Sequence, residues 1–313
     1  MPNNQTKALV QGSMMVAIFT ILMIISAYIP FMFMIALLFA PLPIAWYSAN
    51  YKRSSSMLVA VVGCILTVLM SGITMLPFAF TMGLLGVVIG NAIHLEKSKL
   101  YLLMSSGIAV LLSTALVYLA YVRLAGINMI DMSLDIVREN YQQSNELAKS
   151  ITGQVAIQPE QLEVMFRTIE LTIPAAITIF AFMVAFIIIT LNLPILKRLG
   201  LAVPKFPPFQ NMRLPRSVLW YYMIVLSINL FIRPESGTML DIIVLNVSYI
   251  LWLLLILQGI SFIHYFMSKK GMPNAVKWIA SLLAIPLSSF MILLGIVDLG
   301  FDVRSLVKGK TKD

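Results

Sequence analysis

Nine stretches of this chain are each long and apolar enough to cross or enter a bilayer: 8–29, 31–48, 56–72, 74–94, 100–122, 171–193, 217–232, 239–266 and 276–298. A membrane helix needs about 20 mainly apolar residues, because in lipid every backbone polar group must be satisfied within the segment. Hydrophobic residues make up 60% of the 313 and charged residues 11%, with a mean hydropathy of +0.93. Soluble domains carry about 25% charged residues, so lipid is the solvent for most of this chain. The expected fold class is all-α, a polytopic transmembrane helical bundle of eight or nine spans.

Charge orients the bundle. The net charge is +9, but the basic residues sit mostly in short loops between spans, a pattern that sets topology rather than reading nucleic acid. With the N-terminus on the cytoplasmic side, 13 of the 22 basic residues fall inside and five fall in outer loops. Nine spans would then leave Arg304, Lys308, Lys310 and Lys312 outside. Either the tail is external, or 276–298 is a re-entrant hairpin broken at Pro286, or one short span is miscounted. The run 8–29 is too long for a signal-peptide core and reads as a retained first span.

Two segments do not read as membrane. Residues 123–170 carry four basic and seven acidic residues, a net −3 in an otherwise basic chain. Their apolar residues recur at helical spacing, which predicts two amphipathic helices on the membrane surface or capping the bundle. Residues 194–216 hold five prolines and five basic residues, which resists regular structure. The expected organisation is a six-span unit over 1–198 with the outer insertion 123–170. A basic cytoplasmic linker over 199–216 and a C-terminal unit of two to three spans over 217–313 follow.

Small and polar residues inside the spans are the candidates for packing and for ligand contact. Ala8 with Gly12, Ser13 with Ala17, and Gly86 with Gly90 are pairs four apart, so each lies on one helix face; Gly83 joins the last set. Such faces let a second backbone approach closely. Asn91 follows at the end of the fourth span. The eighth span is the richest in polar groups: Asp241, Asn246, Gln258, Ser261 and His264 are the residues that would face a ligand. Gln258, Ser261 and Tyr265 share a face, which should point into the bundle or a cavity rather than at hydrocarbon. The same residues also serve as ordinary structural partners: Asp241 with Arg233 or as a helix cap, His264 snorkelling to water. Trp46, Tyr47, Tyr51, Trp220, Tyr221, Tyr222 and Trp278 lie at span ends, where an aromatic belt is expected. Asp298 and Asp302, four apart, would meet beside Arg304.

Several chemistries lack their motifs. With Cys64 alone there is no intrachain disulfide and no cysteine-built metal site, and no cofactor or metal is expected. The sequence holds neither H-E-x-x-H nor a Walker A loop, so no enzymatic activity is expected and any ATP-driven transport would need a separate ATPase module.

The small-residue-rich first helix, the second ending LLFAPLPIAW, the basic turn YKR and the Gly-rich fourth helix resemble, over about 8–198, the substrate-binding S components of energy-coupling-factor vitamin transporters. The insertion 123–170 and the C-terminal spans depart from that pattern. FPPFQNMRLPRSVLW, LQGISFIHYF and LLGIVDLGFDVR are similar to the C-terminal half of the YybS-like family of bacterial integral membrane proteins, a resemblance that covers nearly the whole chain. It implies an architecture and a multi-pass place in a bacterial plasma membrane, without a substrate. Two functions follow as expectations. One is binding or transport of a small, hydrophobic, vitamin-like molecule in the manner of an S component. The other is a non-transporting interaction or scaffold protein, its glycine faces and basic loops docking a membrane protein partner.

Overall fold

The computed structural model describes residues 4–153, 158–205, 207–301 and 303–304. Among them every regular element is helical. Twelve α-helices follow in order: α1 (Asn4–Tyr28), α2 (Phe33–Phe39), α3 (Pro41–Asn50), α4 (Arg53–Ser71), α5 (Leu76–His94) and α6 (Lys99–Ala120) come first. Then come α7 (Met129–Thr152), α8 (Pro159–Arg198), α9 (Ser217–Ser227), α10 (Met239–Lys269), α11 (Asn274–Leu283) and α12 (Ser288–Phe301).

By length and composition, seven of the described helical stretches can cross a membrane, and eight can if α11 and α12, bent by 114° about Pro286, are one span. The difference from the sequence count lies at 217–232. There α9 and its five-residue π-helical extension Ile228–Ile232 make a short apolar helix. At ~1.5 Å per residue it reaches about 24 Å, short of a hydrocarbon core of about 30 Å. The second span is broken in the middle: α2 and α3 meet at Ala40, just before Pro41 and Pro43.

The chain forms two compact units, Met1–Gln158 with Ile177–Lys205, and Pro159–Ala176 with Phe206–Asp313. Helix α8 has 40 residues and contributes to both, changing unit at 176/177 rather than at 198. The two amphipathic helices expected in 123–170 are α7 and the first turns of α8. The second runs straight into the following span, since Pro159 at its start is tolerated and the helix continues through Pro174.

In the first unit α3 packs closely on α5 because α5 presents glycines there. A Cβ on Gly86 would lie 2.8 Å from the Pro41 carbonyl oxygen, and one on Gly90 would collide with the Ala45 carbonyl. The Gly86–Gly90 face is therefore internal packing. Gly83 looks elsewhere, toward Ala60 and Cys64 of α4, with room for a Cβ at 3.6 Å. Gly12 lets α1 approach Val59 and the Tyr47 ring, and the Ala8 carbonyl accepts the Tyr47 hydroxyl at 3.3 Å. Ser13 and Ala17 are exposed, and the Ser13 hydroxyl donates to Leu9 of its own helix. Among the described residues no other helix of this chain covers that pair, because it lies on the face of α1 turned away from Met15, Val16 and Phe19. Tyr47 and Tyr51 are not lipid anchors either. Their rings stack at 4.6 Å and the Tyr51 hydroxyl donates to Gln11, whereas Trp220 and Trp278 are exposed.

The second unit is built on α10. Val218, Val225, Val244, Leu251, Leu255 and Leu299 form its apolar core. Helices α10 and α12 meet through reciprocal glycines: a Cβ on Gly259 would strike the Met291 carbonyl, and one on Gly295 the Leu255 carbonyl. Each helix thus sets one glycine against the other's backbone, which lets the two helices cross closely.

Candidate functional site

The polar face of α10 is the natural place to look for chemistry, because a polar group on a membrane helix is unfavourable unless partnered. Gln258 and Ser261 are fully buried, and around them the second unit gathers its only described buried ion pair. Asp298 on α12 is 0% exposed and Arg304 7%. Arg304 Nη2 lies 2.8 Å from Asp298 Oδ2, and Arg304 Nε donates to Oδ1 at 3.1 Å and Oδ2 at 2.9 Å. Gln258 Nε2 also donates to Asp298 Oδ2, at 2.5 Å. Removing two charges from water costs several kcal/mol each, and only dense hydrogen bonding offsets it.

That bonding comes from the proline-rich segment. Arg304 Nη1 donates to the Gln210 carbonyl at 2.9 Å, and Gln258 Oε1 accepts the Leu214 N–H at 2.9 Å. The Ser261 hydroxyl lies 2.8 Å from the carbonyl oxygens of both Phe209 and Met212. Having one proton, it donates to one at a time, while accepting from Arg304 Nη2 at 3.2 Å. The guanidinium also sits 5.3 Å over the Tyr265 ring. Residues 209–214, which open on a 3-10 turn at Phe209–Asn211, are therefore strapped to α10 and to Arg304 after α12, and Pro208 and Pro215, which lack an N–H, flank them.

The other candidates are separate from this network. Asp241 Oδ2 accepts the Gly237 N–H at 2.9 Å while Thr238 Oγ1 accepts the Asp241 N–H, so Asp241 caps α10. His264 Nε2 lies 2.6 Å from the Ser281 hydroxyl, with its ring edge-on to Phe209. Asn91 lies in the first unit, half-buried at the end of α5. Among the described residues no three His, Cys, Asp or Glu side chains gather as metal ligands; Asp302 lies outside those residues.

Asn246 repairs a helix. Its Oδ1 accepts the Ala175 N–H and its Nδ2 donates to the Leu171 carbonyl, both at 2.7 Å. Residues 171 and 175 are the i, i+4 partners that an uninterrupted helix would bond directly, and Pro174 sits between them. The carboxamide bridges the ladder where proline weakens it. Asn192, which the sequence did not single out, plays a similar part in the first unit, donating to Leu38 and Ile188 at 2.8 Å. Its signal was the LNLP string inside an apolar span.

Helix α7 is strongly two-sided. Helical spacing places Ile130, Leu134 and Val137 of α7 on one side, where Leu134 is buried. Met129, Met132, Ile136, Leu147 and Ile151 form a second apolar stripe, and that one is exposed, to 64% at Leu147 and 82% at Ile151. Asp131, Asp135, Arg138, Glu139, Glu146 and Lys149 share the remaining side. In the first unit, a groove of about 570 Å³ between α4 and α5 is lined by carbon.

Comparison with known proteins adds the following. The family profile described as "Predicted membrane protein (DUF2232)" matches residues 17–299. A Bacillus subtilis (strain 168) protein, "Uncharacterized protein YybS", is 29% identical over 314 residues, covering 97% of this chain and 99% of its own length. No solved structure matches.

Proposed function

The chain belongs to the predicted membrane protein family DUF2232 and is a multi-pass integral membrane protein, and from that premise we propose that it acts as a non-transporting interaction protein, docking a second membrane protein through α7. The exposed stripe from Met129 to Ile151 carries this reading. It runs in two patches, Met129 to Ile136 and Leu147 to Ile151, with Asn140 and Gln143 between them on the same side, and it is distinct from the side that buries Leu134. A bilayer surface is a poorer occupant. Interfacial helices are rich in Lys and Arg, whereas α7 has four acidic residues against two basic ones, so anionic lipid repels it. The partner that fits is an apolar strip flanked by Lys or Arg.

The alternative is binding or transport of a small molecule in the manner of an S component, with a separate ATPase module. It draws on fewer observations. The α10 side chains that would meet a ligand, Asn246, Gln258, Ser261 and His264, are bonded to this chain's own groups. The test is the variant Ile136→Glu with Leu147→Glu, purified in mild detergent from crosslinked cells. The reading expects a stoichiometric membrane partner with the wild type and its loss in the variant, at unchanged melting temperature. A partner retained by the variant, or a wild-type chain that always migrates alone, contradicts it.

A further inference from the structure

The α4–α5 groove has a shape that its small floor residues create. Ala60 and Cys64 lie at the bottom, with Met57, Val61 and Ile65 along one wall and Phe80 on the other. From Met57 to Leu69 it runs twelve residues, about 18 Å at the helical rise. That is close to one leaflet of a hydrocarbon core about 30 Å thick. The two ends of the groove differ. At the Ile73 end no charged residue lies on either helix. At the Met57 end the next turn of the same α4 face is Arg53, preceded by Lys52, and the next turn of α5 after Val87 brings Asn91. Arg53 and Lys52 are exposed. Only one acid, Glu96, lies on the loops at this end, against Lys7, Lys52, Arg53, Lys97 and Lys99. Carbon along one leaflet's depth, ending in a cation and an amide at headgroup level, is complementary to one kind of molecule.

We propose that this groove seats an acyl chain of an anionic phospholipid from the leaflet at that end, with Arg53 holding the phosphate and Asn91 donating beside it. The site is independent of the α7 surface and of any protein partner. A juxtamembrane basic residue contributes about 1 kcal/mol toward an anionic headgroup, or about fivefold in affinity. The experiment is native mass spectrometry of the full chain in detergent with equal phosphatidylglycerol and phosphatidylcholine. Wild type should retain one phosphatidylglycerol in preference to phosphatidylcholine. Arg53→Gln should lower that preference about fivefold, and Lys97→Gln, at the same end but off the groove, should leave it unchanged. Val61→Trp, which fills the groove at an exposed wall, should reduce retention of both lipids. Equal retention of the two lipids by the wild type overturns the proposal. So does an Arg53→Gln preference equal to wild type, or a Lys97→Gln loss as large as that of Arg53→Gln. A melting temperature for each variant within a few degrees of wild type separates lost binding from lost folding.

Discussion

Arg304 and Asp298 form a buried ion pair at 2.8 Å whose remaining bonds go to α10 and to the segment 209–214 between Pro208 and Pro215. The pair joins three pieces of chain far apart in sequence, so its energy is shared with groups that are otherwise hard to satisfy. Gln258 and Ser261 are bound from both sides and have little capacity left for a ligand.

Removing one member should therefore be far worse than removing both. Arg304→Met leaves Asp298 charged and buried, and breaking a buried pair costs about 3–5 kcal/mol. Arg304→Met with Asp298→Leu should recover much of that loss. Thermal unfolding in detergent measures both. A double variant as unstable as the single one would mean that the backbone bonds to Gln210, not the charge, carry the strap.

Asn246→Leu should cost about 1–3 kcal/mol, the penalty for stranding the Ala175 N–H and Leu171 carbonyl in a buried place. Pro174→Ala in the same chain should return part of it by letting the helix bond itself. Hydrogen exchange at residues 171–175 reads the effect directly: faster in Asn246→Leu, slower again in the double variant. Equal exchange in all three would remove the bridge from the account.

The glycines of α5 should separate sharply. Gly90→Leu drives a side chain into the α3 backbone at Ala45 and Ala49, and should abolish stable folding of the first unit. Gly83→Ala meets nothing closer than 3.6 Å and should be tolerated. Expression and monodispersity in detergent distinguish the two, and equal behaviour would contradict the packing described.

What could be read in advance follows from how local each signal is. Hydropathy is local, so the spans were legible, except where length decided against one at 217–232. Gly86 and Gly90 announced a close approach without saying to what, since α3 had to be folded beside them first. Gln258, Ser261 and Tyr265 were visible as one face. Their partners were not, because Asp298, Arg304 and the carbonyls of 209–214 lie roughly 40–50 positions away in the chain and nothing in a proline-rich string marks it as docked. Asn246 and Pro174 lie on helices far apart in the chain, and no local signal connects them, for the same reason. The glycine crossing of α10 and α12 escaped because Gly259 and Gly295 are single glycines on different helices, with no pair spacing to mark either.

The exposed stripe of α7 can be tested most directly by site-specific photo-crosslinking in living cells, one position at a time along the helix. The account predicts protein adducts at Met132, Ile136, Leu147 and Ile151, of one common mass. It predicts none at Asp135, Glu139 and Glu146 on the charged side. Adducts at every position alike, or lipid adducts alone from the apolar stripe, would contradict it.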